Sequence, residues 1–442
     1  MSVGNERRSR LPIFVLKHRD YRLLWFGQMV STLGTQMHTV ALSWQVYDLT
    51  GSVVQLGILG LVRAVALMVT SFVGGAAADS RNRRNLMLVT QSLMLVLTLG
   101  LAACTALDVA NIWVLYAFAA STAATSAFDG PARQALIPSL VPRHDLGAAI
   151  SLNMLAMSSA RMVGPAIGGV SVGVVGVAAT YVIDSMSFVA VIAALLLMRT
   201  KLITPVLAVR GLDAIKEGLR FIVATPVIWG IMLLDFLATL LGSSVGLAPV
   251  FARDVLDAGP QGLGLLLSAP AAGSVIGAVI VSLMPQVERP GRMMVAAVVA
   301  YGVCLGLFGV SASLVWALLA LVGAGAADSV SVAMRHMVRL IATPDELRGR
   351  VSAAHSALAM GGPRLGEFQS GMAAALVGPR MAMVAGGVGV VLVSAVIGKL
   401  VPSMTHYRID QDGDGSVEVE AAGATQAAGT SGLPAGRPER VR

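Results

Sequence analysis

Charged residues are scarce in this chain, and their scarcity decides the class of protein. Asp, Glu, Lys and Arg make up 13% of the 442 residues, whereas hydrophobic residues make up 56%. A soluble globular domain carries about 25% charged residues. The composition therefore excludes a soluble enzyme and predicts a protein that lies in a lipid bilayer.

Cysteines are also rare in this chain, and a phosphate-binding loop is absent from it. The only two cysteines, Cys104 and Cys304, lie in separate apolar runs, which excludes a disulfide framework and a thiolate metal site. No Gly-x-x-x-x-Gly-Lys-Ser/Thr sequence occurs, which excludes an ATP-driven pump. We therefore expect no cofactor and no metal ion.

Long apolar runs fill most of the chain. Twelve of them have the roughly 20 residues that a helix needs to cross the hydrocarbon core, which predicts an all-α polytopic membrane protein. The charged N-terminus leads into the first run without a small-residue cleavage site, so we expect no signal peptide. The predicted cores are 23–47, 53–78, 86–107, 112–137, 147–173, 176–198, 227–250, 262–284, 293–311, 314–338, 353–377 and 381–401.

One long connection divides these segments into two sets of six. It covers 199–225, and its apolar spacing over 212–222 predicts a short interfacial helix. We therefore expect a cytosolic N-terminal segment at 1–22, an N-terminal six-helix bundle at 23–198 and a C-terminal six-helix bundle at 226–401.

The tail 402–442 has a different composition, rich in Gly, Ala, Thr, Pro and Glu, and we expect it to be disordered in the cytosol. Its stretch 410–415 resembles the start of a calcium loop. Ala421 stands at the twelfth loop position, where calcium requires an acid, so no calcium site is expected.

Lys and Arg are concentrated at one set of segment ends. They cluster in 1–22, 81–84, 199–225 and 339–350, whereas the opposite loops contain only Arg253 and Arg380. Because cytosolic loops are the positive ones, this asymmetry predicts that both termini are cytoplasmic in a cell membrane. The net charge of +8 then reflects loops that face anionic lipid rather than nucleic acid.

The two halves repeat each other at an offset of about 200 residues. Arg133, Pro142 and Gly168 correspond to Arg335, Pro344 and Gly371. Parallel repeats of this kind are typical of transporters whose substrate site lies at the repeat interface.

The loop after the second segment predicts a gate. A Gly-Gly helix end allows close approach to a neighbour, and a carboxylate at such an end suits a helix N-terminus. We expect Asp79 to meet the start of the eleventh segment at 350–352 and to act as a latch between the bundles. The residues assigned to this gate are Gly75, Asp79, Arg81, Arg83 and Arg84.

These patterns resemble the major facilitator superfamily. The loop reads Gly75-x-x-x-Asp79-x-Arg81-x-Arg83-Arg84, with Ser80 and Asn82 in place of a base and a glycine. Over about 15–400, the resemblance implies two pseudo-symmetric six-helix bundles that work by alternating access.

A second motif resembles that of exporters within the superfamily. The fifth segment carries Gly164-Pro165-Ala166-Ile167-Gly168-Gly169, similar to the core of the antiporter motif. We expect Gly164, Pro165, Gly168 and Gly169 to set helix packing. The stretches 128–138 and 344–352 resemble the branch that holds enterobactin-type siderophore exporters and macrolide efflux pumps.

Charged residues inside the predicted spans are functional candidates because they are costly there. Their equal numbers of acids and arginines indicate internal pairing. They are Asp129, Asp184, Asp235, Asp328 and Glu367, with Arg63, Arg133, Arg161, Arg335 and Arg364, and with His38 and His355.

Asp129 and Arg133 share a helix face at a spacing of four. Asp129 is a proton-coupling candidate if Asp79 competes with it for Arg133, and the alternative is a fixed ion pair.

Glu367 and Asp235 are further proton-coupling candidates, because burial favours the neutral form of a carboxylate. Glu367 follows Arg364 by three residues beside a helix-breaking Gly-Gly-Pro, and the alternative is a local pair. Asp184 and Asp235 each need a partner from another helix or a cavity. Asp328 and Arg335 are interpreted as a structural pair.

A polar stripe in the first segment predicts a substrate cavity. Gln28, Thr32 and Thr35 lie on one helical face with His38 beside them, and Arg161 is a further cavity candidate. The alternative is hydrogen bonding between helices.

The sequence thus predicts a secondary active transporter that exchanges protons for an amphipathic small molecule such as a siderophore or drug. We expect a monomer, since no feature indicates oligomerisation. An uptake transporter, a lipid flippase and a non-transporting membrane sensor or partner protein remain alternatives. Substrate-dependent proton flux separates the sensor from the transporters.

Overall fold

Long apolar helices dominate the chain, as its composition requires. The computed structural model describes residues 12–80, 82–199, 220–243, 245–284, 287–344, 347–405, 408–411 and 417–420. In the first half the helices are α1 (Arg19–Thr50), α2 (Val53–Ser80), α3 (Arg83–Ala106), α4 (Ile112–Leu136) and α5 (Leu146–Leu197). In the second half they are α6 (Pro226–Leu241), α7 (Gly259–Leu283), α8 (Pro290–Val310), α9 (Leu314–Ala342), α10 (Arg348–Val377) and α11 (Pro379–Leu400).

Local signals set several of the helix ends. Gly51 ends α1 in the left-handed region, with φ of 58°, where a residue without Cβ is unstrained. Asn82 begins α3 by accepting hydrogen bonds from the backbone N–H groups of Arg84 and Asn85. Asn111 caps α4 in the same way through Val114. These caps satisfy orphan N–H groups at the membrane ends.

One predicted boundary agrees with the structure, and one predicted segment differs from it in continuity. The fifth and sixth predicted segments both lie within α5, which is broken close to their predicted boundary, at Gly176, whose φ of 86° and ψ of 172° are not helical. A residue without Cβ is unstrained at this φ. The seventh predicted segment runs without a break, whereas its helix stops at Leu241 and continues, after Gly242, as short helical turns that include the π-helical Phe251–Val255.

Seven helical segments in the described part are both long and apolar enough to cross a membrane. They belong to α2, α3, α5, α7, α8, α9 and α11. The helices α1, α4 and α10 are as long but less apolar, since they carry the polar and charged side chains considered below.

Each half packs mainly on itself, and two helix pairs join the halves. These pairs are α5 with α7 and α2 with α10. A Cβ on Gly169 would lie 2.9 Å from the Cα of Gly264, and one on Gly371 would lie 3.0 Å from the Cα of Gly57. Glycine therefore allows both crossings, and Gly371 is the repeat counterpart of Gly168, the neighbour of Gly169.

At the end of the protein that contains Gly51, called here the Gly51 end, each half has a residue that is buried among residues of the other half. Val40 of α1 is fully buried within a cluster that otherwise comes from the second half. Val250 of the second half is buried within a cluster from the first half. Trp44 contacts both clusters. The two halves are thus in close apolar contact at this end.

The tail after Val401, expected to be disordered, contains local structure in its described part. The strands β1 (Arg408–Gln411) and β2 (Val417–Glu420) pair antiparallel. Their alternating side chains flank the turn-forming sequence Asp412-Gly413-Asp414-Gly415, which favours a hairpin. The interfacial helix predicted over 212–222 falls mostly outside the described residues.

Candidate functional site

A cavity of about 160 Å³ is formed mainly by the first half, and Arg364 of the second half reaches it. The helices around it are α1 to α5 from the first half and α10 from the second. Its lining residues are Thr35, His38, Thr39, Arg63, Leu67, Met94, Thr98, Ala119, Thr122, Ala123, Ser126, Asp184, Phe188 and Arg364. The substrate sites of transporters built from two repeats lie where residues of both repeats meet.

One wall of the cavity is built around Asp184 on the second segment of α5. His38 Nδ1 lies 3.2 Å from Asp184 Oδ2, although the two atoms are not aligned for a hydrogen bond. The side chain of Asp184 is only 2% exposed. A Cβ on Gly34 would lie 2.6 Å from Asp184 Oδ1, so this glycine makes room for the carboxylate. The partner that Asp184 needs from another helix is His38.

A hydrogen-bonded chain extends from this wall towards the Gly51 end. The rings of His38 and Tyr181 are 5.1 Å apart. Tyr181 Oη donates to Gln45 Oε1 at 2.8 Å, and Gln45 Nε2 donates to Thr105 Oγ1 at 3.1 Å. These bonds hold α1, α3 and α5 together and fix the position of the imidazole.

Arginines from both halves face the cavity. Arg63 of α2 has no hydrogen bond and no ion pair within the described part of the chain. Arg364 of α10 lies 3.3 Å from Glu367 through Nη1 and Oε1. A Cβ on Gly60 would lie 2.8 Å from Glu367 Oε2, so the missing side chain admits this carboxylate to the α2–α10 contact.

The predicted polar stripe of α1 is divided in the structure. Thr35 and His38 line the cavity, whereas Gln28 and Thr32 are not among its lining residues. Thr32 and Thr35 donate to the carbonyl groups of Gln28 and Ser31 in their own helix. Their hydroxyl oxygens remain free to accept, and the hydroxyl groups do not form the interhelical bonds of the alternative interpretation.

Asp129 and Arg133 do not pair with each other, and the expectation of a shared ion pair is wrong. Asp129 Oδ1 accepts from Thr90 at 3.1 Å and from Gln91 at 2.8 Å, both on α3. Arg133 Nη1 donates to Gln28 Oε1 on α1 at 2.8 Å. Each side chain therefore takes its polar partner from a neighbouring helix rather than from α4.

Arg335 connects two acids in the second half. Its Nη1 donates to Asp235 of α6, and its Nη2 lies 3.4 Å from Asp328 Oδ1. Arg335 and Asp235 are buried, whereas the side chain of Asp328 is 47% exposed. Since Arg133 bonds to α1 as Arg335 bonds to α6, the repeated arginines have partners on equivalent helices.

The arginines after α2 bind within the first half rather than across the halves. Arg83 Nη1 donates to the carbonyl group of Ala135 at 2.8 Å, near the end of α4. Arg84 donates to Leu195 and Leu196 at the end of α5. A cation is favourable at a helix C-terminus, so both stabilise this bundle. Arg81 and the side chain of Asp79, with Gly75, lie outside what the structure describes.

The glycines of the predicted antiporter motif lie at helix contacts. A Cβ on Gly164 would lie 2.6 Å from Gln36 Cβ, and one on Gly168 would lie 2.8 Å from Met37 Cα. A Cβ on Gly169 would lie 2.4 Å from the carbonyl oxygen of Pro260 across the halves. Pro165 is buried beside them.

Arg161 is exposed one turn before Pro165 and does not line the cavity. Its assignment to the cavity is therefore not met, because its side chain is exposed at the surface of α5. No group of three His, Cys, Asp or Glu side chains in the described ranges comes close enough to hold a metal ion.

A polar contact at the Gly51 end was missed by sequence reasoning. Tyr47 Oη donates to Asp254 Oδ2, and Arg253 Nη1 lies 2.8 Å from Asp48 Oδ1. The guanidinium of Arg253 also lies 5.9 Å from the centre of the Tyr47 ring. Arg253, one of the two basic residues in the loops opposite the positive ends, was the signal available for this contact.

These features together define a class of protein. Two helical halves with repeated arginines enclose a polar cavity at membrane depth, and the halves meet through close glycine crossings. This is the architecture of a multi-pass membrane transporter rather than an enzyme.

Sequence comparison gives the family. Residues 12–414 match the family described as transmembrane secretion effector, and the chain belongs to it, within the efflux branch of the major facilitator superfamily. The enterobactin exporter EntS of Escherichia coli (strain K12) is 24% identical over 405 residues, which are 91% of this chain and 97% of that protein. EntS of Shigella dysenteriae serotype 1 (strain Sd197) is similar to the same extent.

Solved transporters share the fold. A bacterial homologue of the human lysosomal transporter Spinster superposes with a TM-score of 0.69 at 15% identity and covers 91% of this chain and 99% of its own. A D-xylose–proton symporter gives 0.67 at 15% identity, over 87% of this chain and 98% of its own.

Proposed function

We propose that the chain is a proton-coupled exporter of an amphipathic small molecule, such as a siderophore or a drug, that works by alternating access. The observation that carries this proposal is the cavity at which residues of both halves meet, with His38 and Asp184 on one side and Arg63 and Arg364 on the other. The similarity to EntS, an enterobactin exporter, supports export and a siderophore-like substrate.

In this proposal twelve segments cross the membrane in two six-helix bundles. The seven apolar segments are joined by the more polar α1, α4 and α10 and by the shorter apolar α6 with its continuation, and α5 crosses twice because it is broken at Gly176. The polar helices are those that face the cavity or the opposite half, where polar groups are tolerated in a bilayer.

The positive ends place both termini in the cytoplasm of a cell that carries the protein in its inner or plasma membrane. The Gly51 end then faces outward. The contacts of Tyr47 with Asp254 and of Asp48 with Arg253 form the outer closure of the substrate path. The protein works as a monomer in this proposal.

Three carboxylates are candidates for the coupling proton. Asp129 is buried against the neutral donors Thr90 and Gln91, so no fixed cation holds its charge. Glu367 has a single contact with Arg364 and lies at the α2–α10 crossing. Asp235 is clamped by Arg335, which favours its charged form. Asp129 and Glu367 are therefore the better supported pair.

Asp79 is proposed to latch α2 to the start of α10 and so to control the conformational cycle. Its location at the cytosolic end of α2 supports this assignment. The change Asp79→Asn then slows transport while substrate affinity is retained, and a large loss of affinity with normal cycling argues against the latch.

The decisive experiment measures substrate-dependent proton flux in proteoliposomes that contain the purified protein. A panel of siderophores and amphipathic drugs is applied under an imposed pH gradient. The proposal expects proton movement with at least one compound and its loss in Asp129→Asn or Glu367→Gln. Asp108→Asn, a loop carboxylate outside the helices, is the matched control.

Two outcomes contradict the proposal. Substrate flux that is independent of the pH gradient removes proton coupling. No flux with any compound, together with stable binding to another membrane protein, favours the sensor.

A further inference from the structure

We propose that Arg63 and Arg364 form an anion-binding subsite, which takes a carboxylate, phosphate or similar anionic group of the substrate between the two halves of the protein. This inference rests on the proposed function, in that it assumes the cavity to be the substrate site. It goes further by assigning a charge to the group that enters.

The first argument is the missing partner of Arg63. A guanidinium has five N–H donors and cannot be deprotonated in proteins, and an unpaired charge is costly within a bilayer. Arg63 lies in the middle of α2 and lines the cavity, yet it has no hydrogen bond or ion pair in the described part of the chain. An anion in the cavity supplies what this side chain lacks.

The second argument is the position of Arg364. It reaches the same cavity from α10 and uses one nitrogen for Glu367, which leaves most of its donors available. Its side chain is 38% exposed, towards the opening. Two guanidinium groups on facing helices match the oxygen atoms of an anion through charge-assisted hydrogen bonds.

The third argument is the set of contacts beside the cavity. Two arginines and two carboxylates lie here, of which Glu367 contacts Arg364 and Asp184 contacts His38. Arg63 is the one of these four groups that has no ion pair within the described part of the chain. The hydroxyl groups of Thr35 and Thr122 donate to their own helices, so they do not compete with the arginines as donors.

The size of the cavity limits the anionic group. Sites for drug-sized ligands occupy about 300–1,000 Å³, whereas this cavity measures about 160 Å³. In this conformation it therefore admits one head group, such as an aromatic acid, rather than a whole amphipathic molecule.

The location gives the subsite a consequence for transport. One arginine comes from each half, and α2 and α10 form one of the two helix pairs that join the halves. A shared anion relieves the repulsion between the arginines and favours the closed α2–α10 contact.

The test uses two probes of nearly equal size that differ in charge, dansylglycine and dansylglycinamide. Binding to the purified full-length protein is measured by equilibrium dialysis against matched empty micelles, so it requires no proton flux. We expect wild-type protein to prefer the anionic probe by about tenfold or more, since a hydrogen bond to a charged group is worth that ratio. The preference disappears in Arg63→Gln and in Arg364→Gln.

Two further variants serve as controls. Arg63→Lys retains the charge and part of the preference, which separates a lost charge from a misfolded protein. Arg292→Gln removes an exposed arginine at the start of α8 and leaves the preference unchanged.

Three results overturn the anion subsite. The wild-type protein binds both probes equally, it binds neither probe, or its preference for dansylglycine survives both arginine substitutions. A clear preference with no proton flux keeps the subsite and removes proton coupling, so the two failures are distinguishable.

Discussion

His38 Nδ1 lies 3.2 Å from Asp184 Oδ2, and this contact joins α1 to the second segment of α5 at the wall of the cavity. Both side chains are buried. The pair gives a nearly inaccessible carboxylate its partner from another helix, and it places an acid and an imidazole at the wall of the proposed substrate cavity.

The first prediction concerns the coupling within this pair. His38→Gln and Asp184→Asn each lower thermal stability in detergent, because each leaves the other buried group without its partner. The double variant loses less stability than the two single variants lose together. The difference is the interaction energy of the pair, which is about 0.5–3 kcal/mol for groups in direct contact. Additive losses in the double-mutant cycle mean that the two groups do not interact.

The second prediction compares the two acids that contact Arg335. Arg335→Ala leaves the buried Asp235 uncompensated, which costs about 3–5 kcal/mol for a buried pair. Asp328→Asn costs about 0–1 kcal/mol, because the side chain of Asp328 is 47% exposed. Thermal or denaturant unfolding in detergent checks both variants. A larger loss in Asp328→Asn than in Arg335→Ala reverses the assignment.

The third prediction concerns the closure at the Gly51 end. Tyr47→Phe removes the hydrogen bond to Asp254 and favours a state in which this end is open. The reporter is Ala252→Cys in a background without Cys104 and Cys304, because Ala252 is fully buried between the halves. Its labelling by a membrane-impermeant maleimide rises about tenfold, as expected for the loss of a hydrogen bond to a charged group.

The exposed pair Asp48–Arg253 supplies the control for this experiment. Asp48→Asn changes labelling little, because exposed ion pairs contribute about 0–1 kcal/mol. Equal effects of Tyr47→Phe and Asp48→Asn show that the buried hydrogen bond is not what holds this end closed.

The fourth prediction concerns the glycine crossings. Gly169→Ala places a methyl group 2.4 Å from the carbonyl oxygen of Pro260, so the α5–α7 contact is pushed apart. Proteoliposome transport falls to background in this variant, whereas the protein remains folded by size-exclusion chromatography. Gly130→Ala, whose methyl group meets nothing within 4 Å, transports normally. Normal transport by Gly169→Ala means that this close contact is not needed in the cycle.

Much of the helical architecture was predictable because it depends on local composition. The start of α2 at Val53 and of α4 at Ile112 agree with the predicted cores. The boundary predicted between the fifth and sixth segments agrees with the break at Gly176. An error occurred in the seventh segment, which was predicted to run unbroken over 227–250, whereas α6 ends at Leu241. Apolar character alone does not show where a helix stops within an apolar run.

The sequence predicted several residues of the site but not the contacts between them. Asp129, Arg133, Asp184 and His38 were all recognised as costly in a bilayer, but the pairing of Asp129 with Arg133 was wrong. Spacing along one helix gives the neighbours within that helix and says nothing of Thr90 and Gln91 on another. The free donors of Arg63 became visible only when every partner was known.

The sequence by itself determined that this chain lies in a membrane, where its helices run and which ends are positive, because these follow from the transfer free energy of each segment taken alone. The tertiary structure decided which charges are paired, which face the cavity and which hold the halves together. Those outcomes depend on distances of a few ångströms between side chains on different helices, and such distances are fixed only when all the helices have packed.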